Sequence, residues 1–239
     1  MLKDRNEKER FLSDFKKSDV IEKYLREKQT KGEIVNMVVN DLQKTKTFQN
    51  ILFLRTPTTG GWMDAMMRDE NVTRILYTID THITNRLYTI LRHSELETHL
   101  RSLEKTFDLI IMDSYHEYKQ SSSDFSFISS LLSEDGILIS HDCCPPDKEK
   151  ATPNFIKGYW CGVTYICFIE LAYNNPQYYY AVIDNDNGVG IASKKPIDFL
   201  TQDLNREKQE IVIQMNKDGD PNTYDYFRAN GKELINLYS

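Results

Sequence analysis

The amino-acid sequence predicts a doubly wound α/β protein. Its mostly parallel sheet is expected to end in an antiparallel C-terminal hairpin and to carry an N-terminal helical cap. From residue 50 onward, short apolar runs alternate with segments of helical periodicity, which is typical of parallel strands joined by crossover helices. The turn sequence Asn185-Asp186-Asn187 separates two further apolar runs and predicts the hairpin.

The first 48 residues are rich in charge and have the spacing of helices. Apolar residues recur there at helical intervals, at Ile34, Met37, Val38 and Leu42. We therefore divide the chain into an N-terminal helical cap over residues 1–48 and an α/β domain over residues 49–239. A partly disordered arm is the alternative interpretation for residues 1–10.

The elements of the α/β domain are predicted from its apolar runs. Strands are predicted at residues 50–55, 72–80, 86–92, 107–113, 136–142, 178–184 and 188–194, with a further candidate at 210–215. Helices are predicted to begin near Trp62 and to cover residues 94–104, 118–132, 162–173 and 223–237. The proline-rich segment 143–158 between them is predicted to be a loop.

Composition and charge exclude several classes of function. The 239 residues are 40% hydrophobic and 28% charged, which is ordinary for a globular protein, and the net charge is −6. Without a long basic run, this charge disfavours nucleic-acid and membrane partners. The four cysteines lack a CxxC spacing, which argues against a zinc ribbon and favours a reducing compartment. Because the charged N-terminal stretch is no signal peptide, we expect a cytoplasmic protein.

Polar side chains collect where the predicted strands end. Four histidines and three aspartates lie at or just after these ends: His82, His93, His116, His141, Asp80, Asp113 and Asp142. Ligands of open α/β sheets bind outside the carboxyl ends of the strands, so this cluster predicts an active site. The alternative is that strand ends are turns, which favour polar residues whatever the function.

Two segments of this cluster indicate a metal site. If the crossover between their strands is short and right-handed, Asp113 and Asp142 are neighbours and are expected to share a divalent cation, with His141 as a third ligand. Carboxylates suit Mg²⁺, Mn²⁺ or Ca²⁺, and an added imidazole also admits Fe or Zn. His116 is a candidate general base toward a substrate hydroxyl, because histidine changes charge near neutral pH. The alternative for His116 is a residue at a helix N-terminus that bonds nearby backbone.

Three further segments carry weaker signals. Asp80 ends the second strand, where an acid binds ribose hydroxyls in nucleotide-binding folds, although Asp also begins helices and turns. The glycines at 60–61 would let backbone amides approach a ligand, but a plain turn explains them equally well. The segment 184–188 predicts a hairpin turn rather than a calcium loop, because Lys195 stands where the closing Glu belongs.

Several motifs together resemble a known family. FDLIIMDSYHEY, LLSEDGILISHDCCPP, GYWCGV and VIDNDNGVGIASKK resemble bacterial class I S-adenosylmethionine (SAM) methyltransferases, and are similar to macrocin-type sugar O-methyltransferases of polysaccharide and natural-product pathways. The likeness covers about residues 48–239. It implies a Rossmann-like methyltransferase fold, SAM and a divalent cation (Mg²⁺ expected) as cofactors, and a sugar, nucleotide-sugar or other small hydroxylated acceptor.

The resemblance also implies site residues. The SAM site would comprise Thr59, Gly60, Gly61, Asp80, His93 and Asp113. The cation ligands would be Asp113, His141 and Asp142. His116 stands where catechol-type relatives carry a lysine base, and Tyr159 and Trp160 in the loop over the acceptor would stack on a sugar ring.

The chain departs from the family pattern in its first strand. Relatives carry an acid followed by a glycine there, whereas this chain has Phe53-Leu54-Arg55. Either Arg55 meets an anionic ligand instead, or the loop has simply drifted in sequence. Two other functions therefore stay open. One is a metal-dependent lyase or hydrolase that acts on a nucleotide-linked sugar without SAM. The other is a non-catalytic protein that binds a partner, and the N-terminal helices are also compatible with a homodimer.

Overall fold

The computed structural model of the chain describes residues 17–26, 28–29, 32–59, 61–65, 71–78 and 87–239. Within these residues, eight strands follow one another along the chain: β1 (Ile51–Arg55), β2 (Val72–Thr78), β3 (Thr89–Arg92), β4 (Phe107–Asp113), β5 (Leu132–Ser140), β6 (Tyr179–Ile183), β7 (Val189–Ser193) and β8 (Leu237–Tyr238). They form one sheet in the order β3-β2-β1-β4-β5-β7-β6-β8.

Seven α-helices connect or flank these strands in the same part of the chain: α1 (Lys17–Leu25), α2 (Glu33–Gln43), α3 (His93–Ser102), α4 (Tyr118–Ser130), α5 (Thr164–Asn174), α6 (Arg206–Lys217) and α7 (Thr223–Ile235). A short 3₁₀ helix covers Gly61–Ala65 after β1. A search of the described helices finds none with the length and apolar content that a membrane span requires.

The sheet is parallel from β3 to β5 and antiparallel where β7 pairs with both β5 and β6. The predicted doubly wound, mostly parallel sheet with an antiparallel C-terminal hairpin is therefore confirmed. Arg55 at the end of β1 lies beside Asp113 at the end of β4, and Met112 lies beside Ser140 near the end of β5. The carboxyl ends of these three central strands thus reach the same edge of the sheet.

Helices cover both faces of the sheet, which explains why the central strands are apolar without alternation. Successive strand residues point to opposite faces. Ile110 and Met112 join the core beneath helices α3 to α7, whereas Leu109 and Ile111 join the core beneath α1 and α2. The N-terminal helices therefore pack on the sheet, and the boundary between cap and domain at residues 48 and 49 stays a prediction.

The candidate strand at residues 210–215 is wrong, because these residues lie within α6. The buried side chains of this segment are Gln209, Val212 and Ile213, which recur at helical spacing, while Ile211 is 41% exposed. A short apolar run fits a strand or a helix equally well when read alone. Asn205 decides the outcome locally, because its side chain accepts a hydrogen bond from the Lys208 amide and caps the helix.

Candidate functional site

The two neighbouring central strands deliver three polar side chains to one point. Asp113 is the last residue of β4, and His141 and Asp142 directly follow β5. The backbone amide of His141 donates to the carbonyl of Met112 at 3.2 Å, which continues the sheet pairing by one residue. One potential ligand atom from each of Asp113, His141 and Asp142 lies within 4.8 Å of the others, and all three residues are buried.

A fourth side chain, His116, faces the same two carboxylates. Its Nε2 lies 3.1 Å from Asp142 Oδ2 and 3.8 Å from Asp113 Oδ1, while His141 Nδ1 lies 3.3 Å from Asp142 Oδ1 and 3.7 Å from Asp113 Oδ2. Four of the buried atoms in this group have no hydrogen-bond partner within the described structure: Asp113 Oδ1, Asp142 Oδ1 and both ring nitrogens of His141. Unsatisfied buried polar atoms are rare in native proteins and call for an explanation, such as a bound ion.

The backbone around Asp142 is held in an uncommon conformation by the hairpin. Asp142 has φ 59°, a left-handed value that few residues other than glycine adopt. The next two amides, of Cys143 and Cys144, donate to the carbonyls of Gly188 and Asn187, each at 2.9 Å. Gly188 has φ 91°, and a Cβ built on it would lie 1.9 Å from the Cys144 nitrogen. This close approach requires glycine and fixes the segment that carries Asp142.

The ring of His116 is oriented from its far side. His116 Nδ1 lies 3.0 Å from Thr164 Oγ1, and that hydroxyl donates to the Cys161 carbonyl at 3.1 Å. Because the single hydroxyl hydrogen is used there, the Thr164 oxygen accepts from Nδ1–H, which leaves Nε2 as the nitrogen facing Asp142. Gly162 packs against this residue so closely that a Cβ would lie 2.2 Å from the His116 carbonyl oxygen.

The electrostatics of the group place positive charge between the carboxylates. Burial and the charge of Asp142 raise the pKa of Asp113. Burial alone would also raise the pKa of Asp142, but His141 and His116 lower it to about 2. Burial lowers the pKa of His141, but the contacts with Asp142 and Asp186 and the charge of Asp113 together raise it well above its usual range. The arrangement therefore favours a proton or a metal cation at the centre of the group.

Two residues of this site were not predicted from the sequence. Asp186, in the hairpin turn, places Oδ1 3.3 Å from His141 Nε2, and Trp62, in the 3₁₀ helix, donates from Nε1 to Asp113 Oδ2 at 3.3 Å. The Trp62 ring also lies 5.3 Å from the His141 ring, centroid to centroid. The turn that contains Asp186 is interpreted as a hairpin rather than a calcium loop, and its composition does not indicate a contact with His141.

The loop after β1 holds three of the predicted SAM-binding residues, Thr59, Gly60 and Gly61. Thr59 Oγ1 donates to the Asp113 carbonyl, which ties this loop to the end of β4. Gly61 begins the 3₁₀ helix, and a Cβ built on it would meet no described atom within 4 Å. Gly60 and Asp80 lie outside the described residues.

The Arg55 side chain holds the same loop in place through hydrogen bonds. Its guanidinium donates to the carbonyls of Thr56 and Thr59, each at 3.1 Å, and to the Asp64 carboxylate at 3.2 Å. It also stacks on the Tyr88 ring at 4.8 Å from the centroid. The anion that Arg55 contacts is thus a side chain of this protein, which accounts for arginine at a position where relatives carry glycine.

His93 belongs to a second cluster, formed around the buried Asp124, rather than to the carboxylate pair. Its Nε2 lies 3.1 Å from Asp124 Oδ1 on α4, and Gln120 donates to the same oxygen at 2.9 Å. The Tyr77 hydroxyl, near the end of β2, donates to the other Asp124 oxygen. Asp124 carries no distinguishing signal in the sequence, because one acid on an amphipathic helix looks like any exposed charge.

The Trp160 ring packs against His116 on the side of the predicted acceptor loop, and other aromatic side chains pack against Trp160. The Trp160 ring lies 5.4 Å from His116, 5.6 Å from Tyr115 and 5.3 Å from Phe155, measured between centroids. Trp160 is buried, whereas Phe155 is 56% exposed and Tyr159 is 46% exposed. The Tyr159 hydroxyl donates to Asn187 in the hairpin turn, so the loop closes onto that turn.

Comparison with known proteins assigns the fold to a family. A family model described as a methyltransferase domain matches residues 13–143, more than half of the chain. No curated protein matches the sequence.

Among solved structures, the chain is similar to a candidate caffeoyl-CoA O-methyltransferase from Staphylococcus aureus (14% identity, TM-score 0.49, covering 82% of this chain and 100% of that one). It is also similar to an O-methyltransferase from Bacillus cereus in complex with S-adenosylhomocysteine (SAH), with 14% identity and a TM-score of 0.47, covering 78% of this chain and 96% of that one. A third similar structure is the MycE methyltransferase of the mycinamycin biosynthetic pathway in complex with Mg and SAH, with 12% identity and a TM-score of 0.39, covering 63% of this chain and 46% of that one. By its match to the family model, the chain belongs to the methyltransferase domain family and is a methyltransferase.

Proposed function

We propose that this methyltransferase transfers the methyl group of SAM to a hydroxyl of a sugar or other small acceptor, with a divalent cation bound between the strand ends. One observation carries the proposal. Asp113, His141 and Asp142 are buried together at the carboxyl ends of β4 and β5, and the atoms that they turn toward one another include three without a hydrogen-bond partner in the described structure. A site of this kind is where open α/β sheets bind their ligands.

The methyl donor would lie against the loop that follows β1. Thr59 holds this loop to Asp113, and no described atom lies within 4 Å of a Cβ built on Gly61. The proposed SAM site comprises Thr59, Gly60, Gly61, Asp80, His93 and Asp113. Asp113 would serve both cofactors, since its backbone carbonyl faces Thr59 while its carboxylate faces Asp142.

The donor set fits a divalent cation. Asp113 Oδ1, Asp142 Oδ1 and His141 Nδ1 are buried without a hydrogen-bond partner among the described residues, and carboxylate and imidazole groups are ordinary metal ligands. A cation bound by these residues would polarise the acceptor oxygen and favour its deprotonation. Burial strengthens such electrostatic effects because water does not screen them.

His116 is the proposed general base. Thr164 fixes the hydrogen on Nδ1, so Nε2 is the nitrogen that would take the proton of the acceptor hydroxyl. As the new oxygen–carbon bond forms, the carbon–sulfur bond of SAM breaks, and the proton lost by the hydroxyl ends on Nε2. Asp142, 3.1 Å away, stabilises the resulting imidazolium. Positioning of the two reactants would supply much of the remaining acceleration.

The aromatic residues beside His116 support a ring-shaped acceptor. Trp160 donates from Nε1 to the Thr152 carbonyl at 2.8 Å, which fixes its indole next to the proposed base. Phe155 and Tyr159 extend this surface toward solvent. Pockets lined by aromatic side chains with a few fixed polar groups are typical of small-molecule sites, and a sugar or nucleotide-sugar fits this description.

Calorimetry and a transfer assay test the proposal. We expect SAH to bind the full chain, and we expect radiolabelled methyl transfer from SAM to one member of a panel of free sugars, nucleotide-sugars and catechols. EDTA should abolish transfer, and excess divalent cation should restore it, because the cation activates the acceptor. Failure of both SAM and SAH to bind at millimolar concentration would overturn the donor assignment, and cation-dependent hydrolysis without SAH binding would favour a lyase or hydrolase.

A further inference from the structure

His141 is contacted by carboxylates on both sides of its ring. Nδ1 faces Asp142 Oδ1 at 3.3 Å and Asp113 Oδ2 at 3.7 Å, while Nε2 faces Asp186 Oδ1 at 3.3 Å. Both ring nitrogens are buried, and neither has a hydrogen bond of good geometry in the described structure. One nitrogen is therefore directed toward the proposed cation and the other toward a separate acid.

Asp186 is held in place independently of the histidine. Its Oδ2 accepts a hydrogen bond from the Ile34 amide at 3.2 Å, in the first turn of α2, where the helix dipole stabilises a negative charge. Asn185, its neighbour in the turn, accepts from the Gln29 amide and donates to the Tyr24 carbonyl, each at 2.8 Å. The N-terminal helices thus fix the hairpin turn that carries Asp186 to the site.

The order of groups, with Asp186 on one side of the His141 ring and the proposed cation on the other, is similar to that of a carboxylate–histidine–metal triad. In such triads a ligating histidine donates its remote N–H to an acid, which fixes the ring and makes the ligating nitrogen more basic. Imidazole ligands suit first-row transition ions, whereas Mg²⁺ prefers oxygen ligands and retains several waters.

We propose that His141, oriented by Asp186, makes the proposed cation site selective for a divalent transition ion over Mg²⁺. Asp186 is then a positioning residue that acts through His141, and the inference rests on the cation site of the proposed function. The competing explanation is that His141 is an imidazolium held among three carboxylates, with no metal bound.

Cation affinities measured by calorimetry on the tag-free full chain separate these explanations. Co²⁺ is expected to bind more tightly than Mg²⁺. Asp186→Ala should reduce the affinity for Co²⁺ roughly 10–100-fold, which is the usual effect of removing a residue that hydrogen-bonds a metal ligand. The same variant should change the affinity for Mg²⁺ much less. Asp186→Asn should lose less Co²⁺ affinity than Asp186→Ala, because the asparagine amide oxygen can still accept a hydrogen bond from His141 Nε2–H. The matched control is Asp184→Ala in the same turn, whose carboxylate faces Arg228 at 2.8 Å and which should leave Co²⁺ affinity unchanged.

Pulsed electron paramagnetic resonance of bound Mn²⁺ gives a readout that does not depend on activity or on the folding of one variant. The wild-type chain should show coupling to an imidazole nitrogen, His141→Gln should lose it, and His116→Gln should keep it. Absence of nitrogen coupling in the wild type, or Mg²⁺ binding as tight as Co²⁺, would overturn the inference. SAH calorimetry in EDTA, run in parallel, shows whether donor binding survives, so a failure of metal selectivity is distinguishable from a failure of the methyltransferase proposal.

Discussion

Asp142→Asn is expected to reduce methyl transfer by about 10²–10⁴-fold. The substitution removes the carboxylate that contacts both His116 and His141, so it weakens the cation site and the proposed base together. Loss of the several kcal/mol that a bound cation contributes to transition-state stabilisation corresponds to a change of this size. The measurement is the initial rate with radiolabelled SAM and the acceptor that the panel identifies.

The control for this prediction is Asp218→Asn, an exposed acid after α6, which should leave the rate unchanged. SAH should still bind the Asp142 variant, because the loop after β1 is intact. If the variant methylates at the wild-type rate while its thermal stability is also unchanged, Asp142 has no part in the chemistry.

His116→Ala is expected to slow transfer by about 10²–10⁴-fold, the usual contribution of a general base. Co²⁺ and SAH should bind this variant as they bind the wild type, because His141 and the β1 loop are untouched. Single-turnover rates with saturating SAM and cation would separate the chemical step from binding.

The orientation of His116 supplies a second comparison. Thr164→Val removes the oxygen that accepts from Nδ1–H and should reduce the rate, whereas Thr164→Ser keeps that oxygen and should restore most of it. Equal rates for the valine and serine variants would contradict the proposed tautomer. An unchanged rate in His116→Ala would assign proton removal to another group.

The fold could be predicted because the central strands carry a simple physical signal. Residues 107–113, FDLIIMD, are mostly apolar on both faces and end in an acid. These seven residues therefore predict a buried parallel strand with Asp113 at its carboxyl end. The equivalent reading of the next strand places His141 and Asp142. Two neighbouring strands that end at one edge then bring these side chains together without further information.

The missed contacts depend on strand order and on side-chain packing between distant segments. Asp186 reaches His141 only because β7 returns antiparallel beside β5, and local turn composition does not encode that neighbour. The Asp124 contact with His93 likewise joins α4 to the start of α3 across the sheet's face. Arg55 stands where the family pattern has glycine, and its hydrogen bonds to the loop after β1 give it a structural role.

Anomalous diffraction from a crystal soaked with MnCl₂ and SAH tests the shared cation most directly. Our account predicts one manganese peak at about 2.0–2.6 Å from carboxylate oxygens of Asp113 and Asp142 and from a ring nitrogen of His141. A fully occupied SAH site with no manganese between these strand ends, and with His141 filling the space between the two carboxylates, would contradict it.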